Sequence, residues 1–151
     1  MATSNTVAPS IRSASIHFKF IAPDHLRAPA ELLAELQRAG HRVEEFDSLQ
    51  NGLPGVDVIY ATRIQRERIE NGEKLEGYSE ALRLNRANVE RYAPADAIIL
   101  HPLPRDSRAG AYDLGTDLDD LPRLAIFRQA DNGVTMRMAL FASVLGVADE
   151  L

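Results

Sequence analysis

Residues 96–105 read "DAIILHPLPR": an apolar run of Ala97, Ile98, Ile99 and Leu100, then a histidine, two prolines flanking a leucine, and an arginine. A short continuous apolar run of this kind is the signature of a strand buried on both faces, as in a parallel sheet. Proline lacks a backbone N–H and fixes φ, so the ladder stops at His101 and the chain turns a stiff corner. Residues 55–63, "GVDVIYATR", repeat the pattern with a second apolar run that ends in polar residues. Two such strands, separated by helical patterns, predict an α/β domain with an open, mainly parallel sheet flanked by helices.

The neighbouring segments fit that frame. "SIHFKFIAP" places Ile16, Phe18, Phe20 and Ile21 in a strand stopped by Pro23. "APAELLAELQRAGH" has Pro29 suited to a first helical turn, Leu32, Leu33, Leu36 and Ala39 on one face, and Gly40 as the stop. "RVEEF" is a short strand, "ALRL" another, and "NRANVERYA" a short helix capped by Asn85. The charged stretch "QRERIENGEKLEG", Gln65 to Gly77, reads as an exposed loop able to act as a lid, and "DSRAGAYDLGTDLDDL" as a long surface excursion. "NGVTMRMALFASVLG" predicts a helix opening near Asn132-Gly133, apolar almost all round and therefore buried between other elements. Residues 1–14 read as a flexible polar tail and 15–151 as one domain.

Composition narrows the function classes. With 45% hydrophobic and 26% charged residues the chain has the makings of a core, and its net charge of -5 with dispersed basic residues argues against a nucleic-acid footprint. No apolar run approaches the ~20 residues a membrane helix needs, and the absence of cysteine excludes disulfides and thiolate metal sites. The expectation is a cytoplasmic protein, with no membrane or nucleic-acid partner and no cofactor.

In open parallel sheets ligands bind outside the carboxyl ends of the strands. Thr62, Arg63 and Gln65 follow one strand there: Arg63 can hold a carboxylate with two parallel hydrogen bonds, and Gln65 can meet an amino group or a second oxygen. The plainer alternative is that Arg63 pairs with Glu67 or Asp57. After the other strand, the prolines leave the carbonyls of Pro102 and Leu103 available to a ligand. His101 can polarise a carbonyl or move a proton; its alternative is a histidine bonded to backbone at a strand end. Arg105 and Arg137 are candidate supporting residues, Arg137 needing an acidic or carbonyl partner within an apolar helix. Asp113, Asp117, Asp119 and Asp120 lack the spacing of a calcium loop and read as loop and cap chemistry, so no metal site is expected.

Taken together, "DVIYATRIQRER", "ILHPLPR" and "FRQADNGVTMRMALFASVLG", in that order, resemble the second, aspartate-binding half of the aspartate carbamoyltransferases, in the aspartate/ornithine carbamoyltransferase family. The similarity runs from about "FKFIAP" to the end of the chain. It implies a Rossmann-like aspartate/ornithine-binding domain. Arg63, Gln65, Thr62, Pro102 and Leu103 would hold the amino acid, His101 would lie beside the reacting carbamoyl carbonyl, and Gln65 to Gly77 would move on binding, in the service of pyrimidine biosynthesis.

The departures are equally definite. The family's phosphate-binding first half, with its Ser-Thr-Arg-Thr motif, has no counterpart here, and neither does the opening strand and helix of the second half, with its further arginine. Loss of a central strand predicts either closure of its neighbours or cover by another chain, as a homo-oligomer or with a carbamoyltransferase-type partner. "DSRAGAYDLG" is longer than the family's acidic segment and would reshape the pocket. Three readings follow. The first is an aspartate-binding domain that transfers a carbamoyl group only with a separate carbamoyl-phosphate-binding chain. The second is a repurposed stand-alone enzyme for another carboxylate or carbonyl compound, and the third a non-catalytic interaction module.

Overall fold

The computed structural model describes residues 15–63, 82–106 and 113–147. Strand β1 (His17–Ile21) leads through a short 3-10 turn into helix α1 (Ala30–Arg38), then β2 (Arg42–Phe46), a single helical turn α2 (Leu49–Gly52) and β3 (Val58–Tyr60). After the undescribed stretch come α3 (Arg86–Tyr92), β4 (Ile98–Leu100), a 3-10 turn at Thr116–Leu118 and the long α4 (Ile126–Leu145). Pro29 sits just before the first residue of α1, as its fixed φ suits. Gly40 ends that unit with φ +88°, a backbone region that side chains resist. Asn85 caps α3 as expected, its side-chain oxygen accepting from the Asn88 N–H at 2.9 Å.

Every ladder among the described residues is parallel, and the fold is the expected α/β class. β1 pairs with β2, Phe18 opposite Val43, and β3 with β4, Val58 opposite Ile98. Beyond β4, Leu124 bridges to Ile99, and just before α3 Leu84, the last residue of "ALRL", makes an isolated bridge to Leu114. The single sheet of the sequence reading is divided: β1–β2 and β3–β4 are separate two-stranded sheets. β1 and β3 do not pair to close the interval.

The core lies under β3 and β4, where Leu53, Ile99, Val89, Leu118 and Ile126 are buried, and α2 and α3 cover it. Sequence reasoning missed α2. It packs so closely that a Cβ on Gly52 would stand 2.5 Å from the Ile21 side chain, which would have to shift to admit any larger residue there.

α4 differs most from expectation. It begins at Ile126, so Asn132 and Gly133 lie inside it. The start is fixed by tertiary structure: Leu124 pairs with Ile99, the Ala125 N–H donates to the Ile99 carbonyl at 2.9 Å, and Ile126 is anchored in the core. The helix is also not enclosed. Only Ile126 and Ala142 are buried in it, while Met136, Leu140, Phe141, Val144 and Leu145 stand largely in solvent. Its apolar pattern marks surface to be covered, and the described residues do not cover it.

Candidate functional site

The register of β3 and β4 places the two suspect motifs side by side. Tyr60 lies opposite Leu100, and the Ala61 N–H still donates to the Leu100 carbonyl at 2.9 Å. Thr62–Arg63 and Pro102–Leu103 therefore leave the sheet together at its carboxyl edge, where parallel α/β sheets hold their ligands. Thr62 is exposed and Arg63 partly buried. Gln65 lies outside the described residues, as does the charged loop expected to act as a lid.

The corner itself is unusual. Leu103 has φ +52°, in the left-handed region that a bulky side chain avoids, and its peptide bond to Pro104 is cis. The left-handed φ of Leu103 persists only where its surroundings hold it, and such positions cluster at functional sites. Here Leu103 packs on the core and its N–H donates to His101 Nδ1 at 2.9 Å. Among the described residues, no hydrogen bond is made to the carbonyls of Pro102 or Leu103.

His101 is 1% exposed. Because Nδ1 accepts from Leu103, the neutral ring carries its proton on Nε2. That atom lies 3.4 Å from Asp113 Oδ2, too long for a good hydrogen bond, and has no other partner. As placed, the ring lies between Leu103 and Asp113. The geometry matches the backbone-bonded alternative and makes His101 the peg that sets the corner.

Burial pushes the His101 pKa below the ordinary histidine value, Asp113 opposes the shift, and Arg105 adds to it. A depressed folded-state pKa means the unfolded chain takes up the proton first. This contribution to stability is thus complete above about pH 6.5 and is lost below it, by at most about 1.4 kcal/mol per pH unit, until the folded ring titrates. Urea midpoints at successive pH values should show that decline, and His101→Gln should flatten it.

Two further residues complete the frame. Gln129 on α4 accepts from the His101 N–H at 3.0 Å and donates to the Tyr60 hydroxyl at 3.0 Å, tying the ends of β4 and β3 together. Sequence reasoning did not single it out, although it stands in the "FRQADNG" motif. Replacing it by leucine strands the His101 N–H, which should cost about 1–3 kcal/mol in urea unfolding. Asp113, 5% exposed, accepts from the N–H groups of Asp106 and Leu114 at 3.0 and 2.8 Å, so it ties Asp106, just past the corner, to Leu114.

The other acids behave as loop chemistry. Asp119 grips the Arg105 fork at 2.7 and 3.0 Å, Asp117 accepts from the Arg86 N–H at 2.9 Å, and Asp120 pairs with the Arg86 guanidinium. Arg105 is accordingly engaged with Asp119 instead of facing a ligand, and Asp119 raises its already high pKa. Arg137 is exposed on α4, and the partner expected for it is absent among the described residues, because water solvates the guanidinium there. No group of three or more potential metal ligands occurs among the described residues, and no described helix is long and apolar enough to cross a membrane.

Known proteins share this fold. The profile of the aspartate/ornithine carbamoyltransferase Asp/Orn binding domain matches residues 2–144. The aspartate carbamoyltransferase catalytic subunit of Dichelobacter nodosus is 70% identical over 133 residues, and that of Cellvibrio japonicus 44% identical over 137. These alignments take in 88% and 91% of this chain but 38% and 40% of the relatives, so the chain spans about two fifths of their length.

Among solved structures, the catalytic subunit of M. jannaschii aspartate transcarbamoylase superposes with a TM-score of 0.73 at 30% identity, over 87% of this chain and 40% of that one. The Trypanosoma cruzi enzyme in complex with N-(phosphonacetyl)-L-aspartic acid gives 0.69 at 33%, over 83% and 39%. The chain belongs to the aspartate/ornithine carbamoyltransferase family, of which it carries the aspartate/ornithine-binding domain.

Proposed function

We propose that this chain is the amino-acid-binding half of an aspartate carbamoyl transfer system and holds L-aspartate at the carboxyl ends of β3 and β4. The observation that carries the reading is the corner at Leu103, a left-handed leucine that leaves two adjacent carbonyls without partners beside the Thr62–Arg63 strand end. On this reading Arg63 takes a carboxylate, Gln65 and Thr62 complete its polar contacts, and the carbonyls of Pro102 and Leu103 accept from the ammonium group. His101 acts as a positioning residue through Leu103. Once the ammonium has lost a proton, the amine nitrogen attacks the carbamoyl carbon, the C–O bond to phosphate breaks, and a second proton leaves the nitrogen.

Carbamoyl phosphate is supplied by a region that this sequence does not contain. The apolar side of α4, with Phe141 67% and Val144 83% exposed, is where such a region or a further copy would pack. The product would feed pyrimidine biosynthesis in the cytoplasm. A complementation assay tests the reading: the chain is mixed with the part of the Dichelobacter nodosus protein that it does not cover. Carbamoyl aspartate should form in the mixture and with neither part alone. An associated but inactive mixture, with the intact relative active in parallel, would reject the proposal.

A further inference from the structure

The β3–β4 ladder stops one rung short of the site. Its register sets Tyr60 opposite Leu100, and the last bond runs from the Ala61 N–H to the Leu100 carbonyl at 2.9 Å. In a parallel ladder the next rung would run from the N–H of residue 102 to the Ala61 carbonyl. Residue 102 is proline and has no N–H to give. Thr62–Arg63 and Pro102–Leu103 thus leave the sheet without that bond, where the distance between them matters to any ligand that touches both.

Gln129 supplies a link by another route. The His101 N–H lies on the far edge of β4, in line with the Ile99 N–H that donates to Arg123, and Gln129 near the start of α4 meets it there at 3.0 Å. A backbone N–H can only donate, so the amide oxygen faces His101 and the amide NH2 faces the Tyr60 hydroxyl, also at 3.0 Å. One planar amide therefore joins β4 to β3 at the level of the missing rung. Tyr60 stands three residues before Arg63, and His101 immediately before the corner.

We infer that Gln129 is a positioning residue that sets the distance between Arg63 and the carbonyls of Pro102 and Leu103, and through it the length of amino acid the site accepts. This rests on the reading that Arg63 holds a carboxylate while the two carbonyls hold the ammonium group. L-glutamate carries the same charged groups as L-aspartate on a chain one methylene longer, so charge alone does not separate them. A gap held by the amide is pre-organised for one length, whereas a gap free to widen accepts both.

Amide-shift titrations of the 151-residue chain with L-aspartate and with L-glutamate test this through the ratio of the two dissociation constants. A loss of folded protein weakens both amino acids alike and leaves that ratio unchanged. The wild-type chain should favour L-aspartate by at least about tenfold, the low end of what one methylene is worth to a fitted site. Gln129→Leu should bring the preference within about threefold. Tyr60→Phe removes only the hydroxyl of a half-exposed side chain and should have the same effect with the fold intact. Gln129→Glu should restore most of the preference, since a carboxylate accepts from both the His101 N–H and the Tyr60 O–H. Val89→Ala, a core truncation in α3, should keep the wild-type ratio.

Equal weakening of both amino acids by Gln129→Leu and Tyr60→Phe would overturn the positioning role, as would a matching fall in the ratio with Val89→Ala. Equal binding of the two amino acids by the wild-type chain would also overturn it while leaving the site itself in place. A wild-type chain that responds to neither would reject the aspartate reading, and the role of Gln129 with it.

Discussion

Ile99→Ala should lower the stability of the domain by about 2–5 kcal/mol, the range for truncating a fully buried aliphatic side chain where neighbours cannot collapse onto the cavity. Ile99 is the centre of β4 and 0% exposed. Its backbone is held on the far edge as well, its N–H donating to the Arg123 carbonyl and its carbonyl accepting from Ala125, both at 2.9 Å. Little relaxation is open to it. The adjacent Ile98 is 41% exposed, so Ile98→Ala should cost under about 1 kcal/mol. Urea unfolding of the pair measures both, and equal losses would show that the core is not organised around β4. Because His101 and the corner follow directly from this strand, Ile99→Ala should also broaden the amide signals of His101 and Leu103.

Arg63→Ala should weaken L-aspartate binding by about 10- to 150-fold, the equivalent of about 1.5–3 kcal/mol for hydrogen bonds to a charged group. The loss should exceed that from Gln65→Ala, since a neutral amide contributes less than a guanidinium to holding a carboxylate. Arg105→Ala is the informative contrast. That guanidinium is engaged with Asp119, so its removal should leave affinity within about threefold, below 1 kcal/mol. Calorimetry on the three variants separates a specific site from a general attraction of anions to arginine. Equal losses for Arg63→Ala and Arg105→Ala would indicate the latter.

What could be read from the sequence follows from which forces are local. The end of β4 was legible because an apolar run and two prolines dictate a buried strand and then a corner, whatever surrounds them. The cap on α3 was legible because Asn85 bonds a donor three residues away. The start of α4 was not, because Asn132-Gly133 is a turn signal that the anchoring of Leu124, Ala125 and Ile126 to β4 overrides.

Gln129 was equally hidden: one amide in a helix has no periodic meaning until Tyr60 and His101 are brought to either side of it. The sequence left open whether His101 serves a substrate or the backbone at the strand end; the contacts of its ring with Leu103 and Asp113 depend on tertiary structure and could not be read from it. The apolar pattern of α4 expressed a need for cover without saying what supplies it, and the division of the sheet emerged only from the pairing of its strands.

The central claim is that an amino acid with carboxylate groups binds where β3 and β4 end. It is tested most directly by following backbone amide chemical shifts of the chain during titration with L-aspartate, with L-ornithine in parallel. The account predicts saturable shifts centred on Ala61, Thr62, Arg63 and Leu103 with L-aspartate and much smaller ones with L-ornithine. No saturable shift at these residues, or the same response to both amino acids, would contradict it.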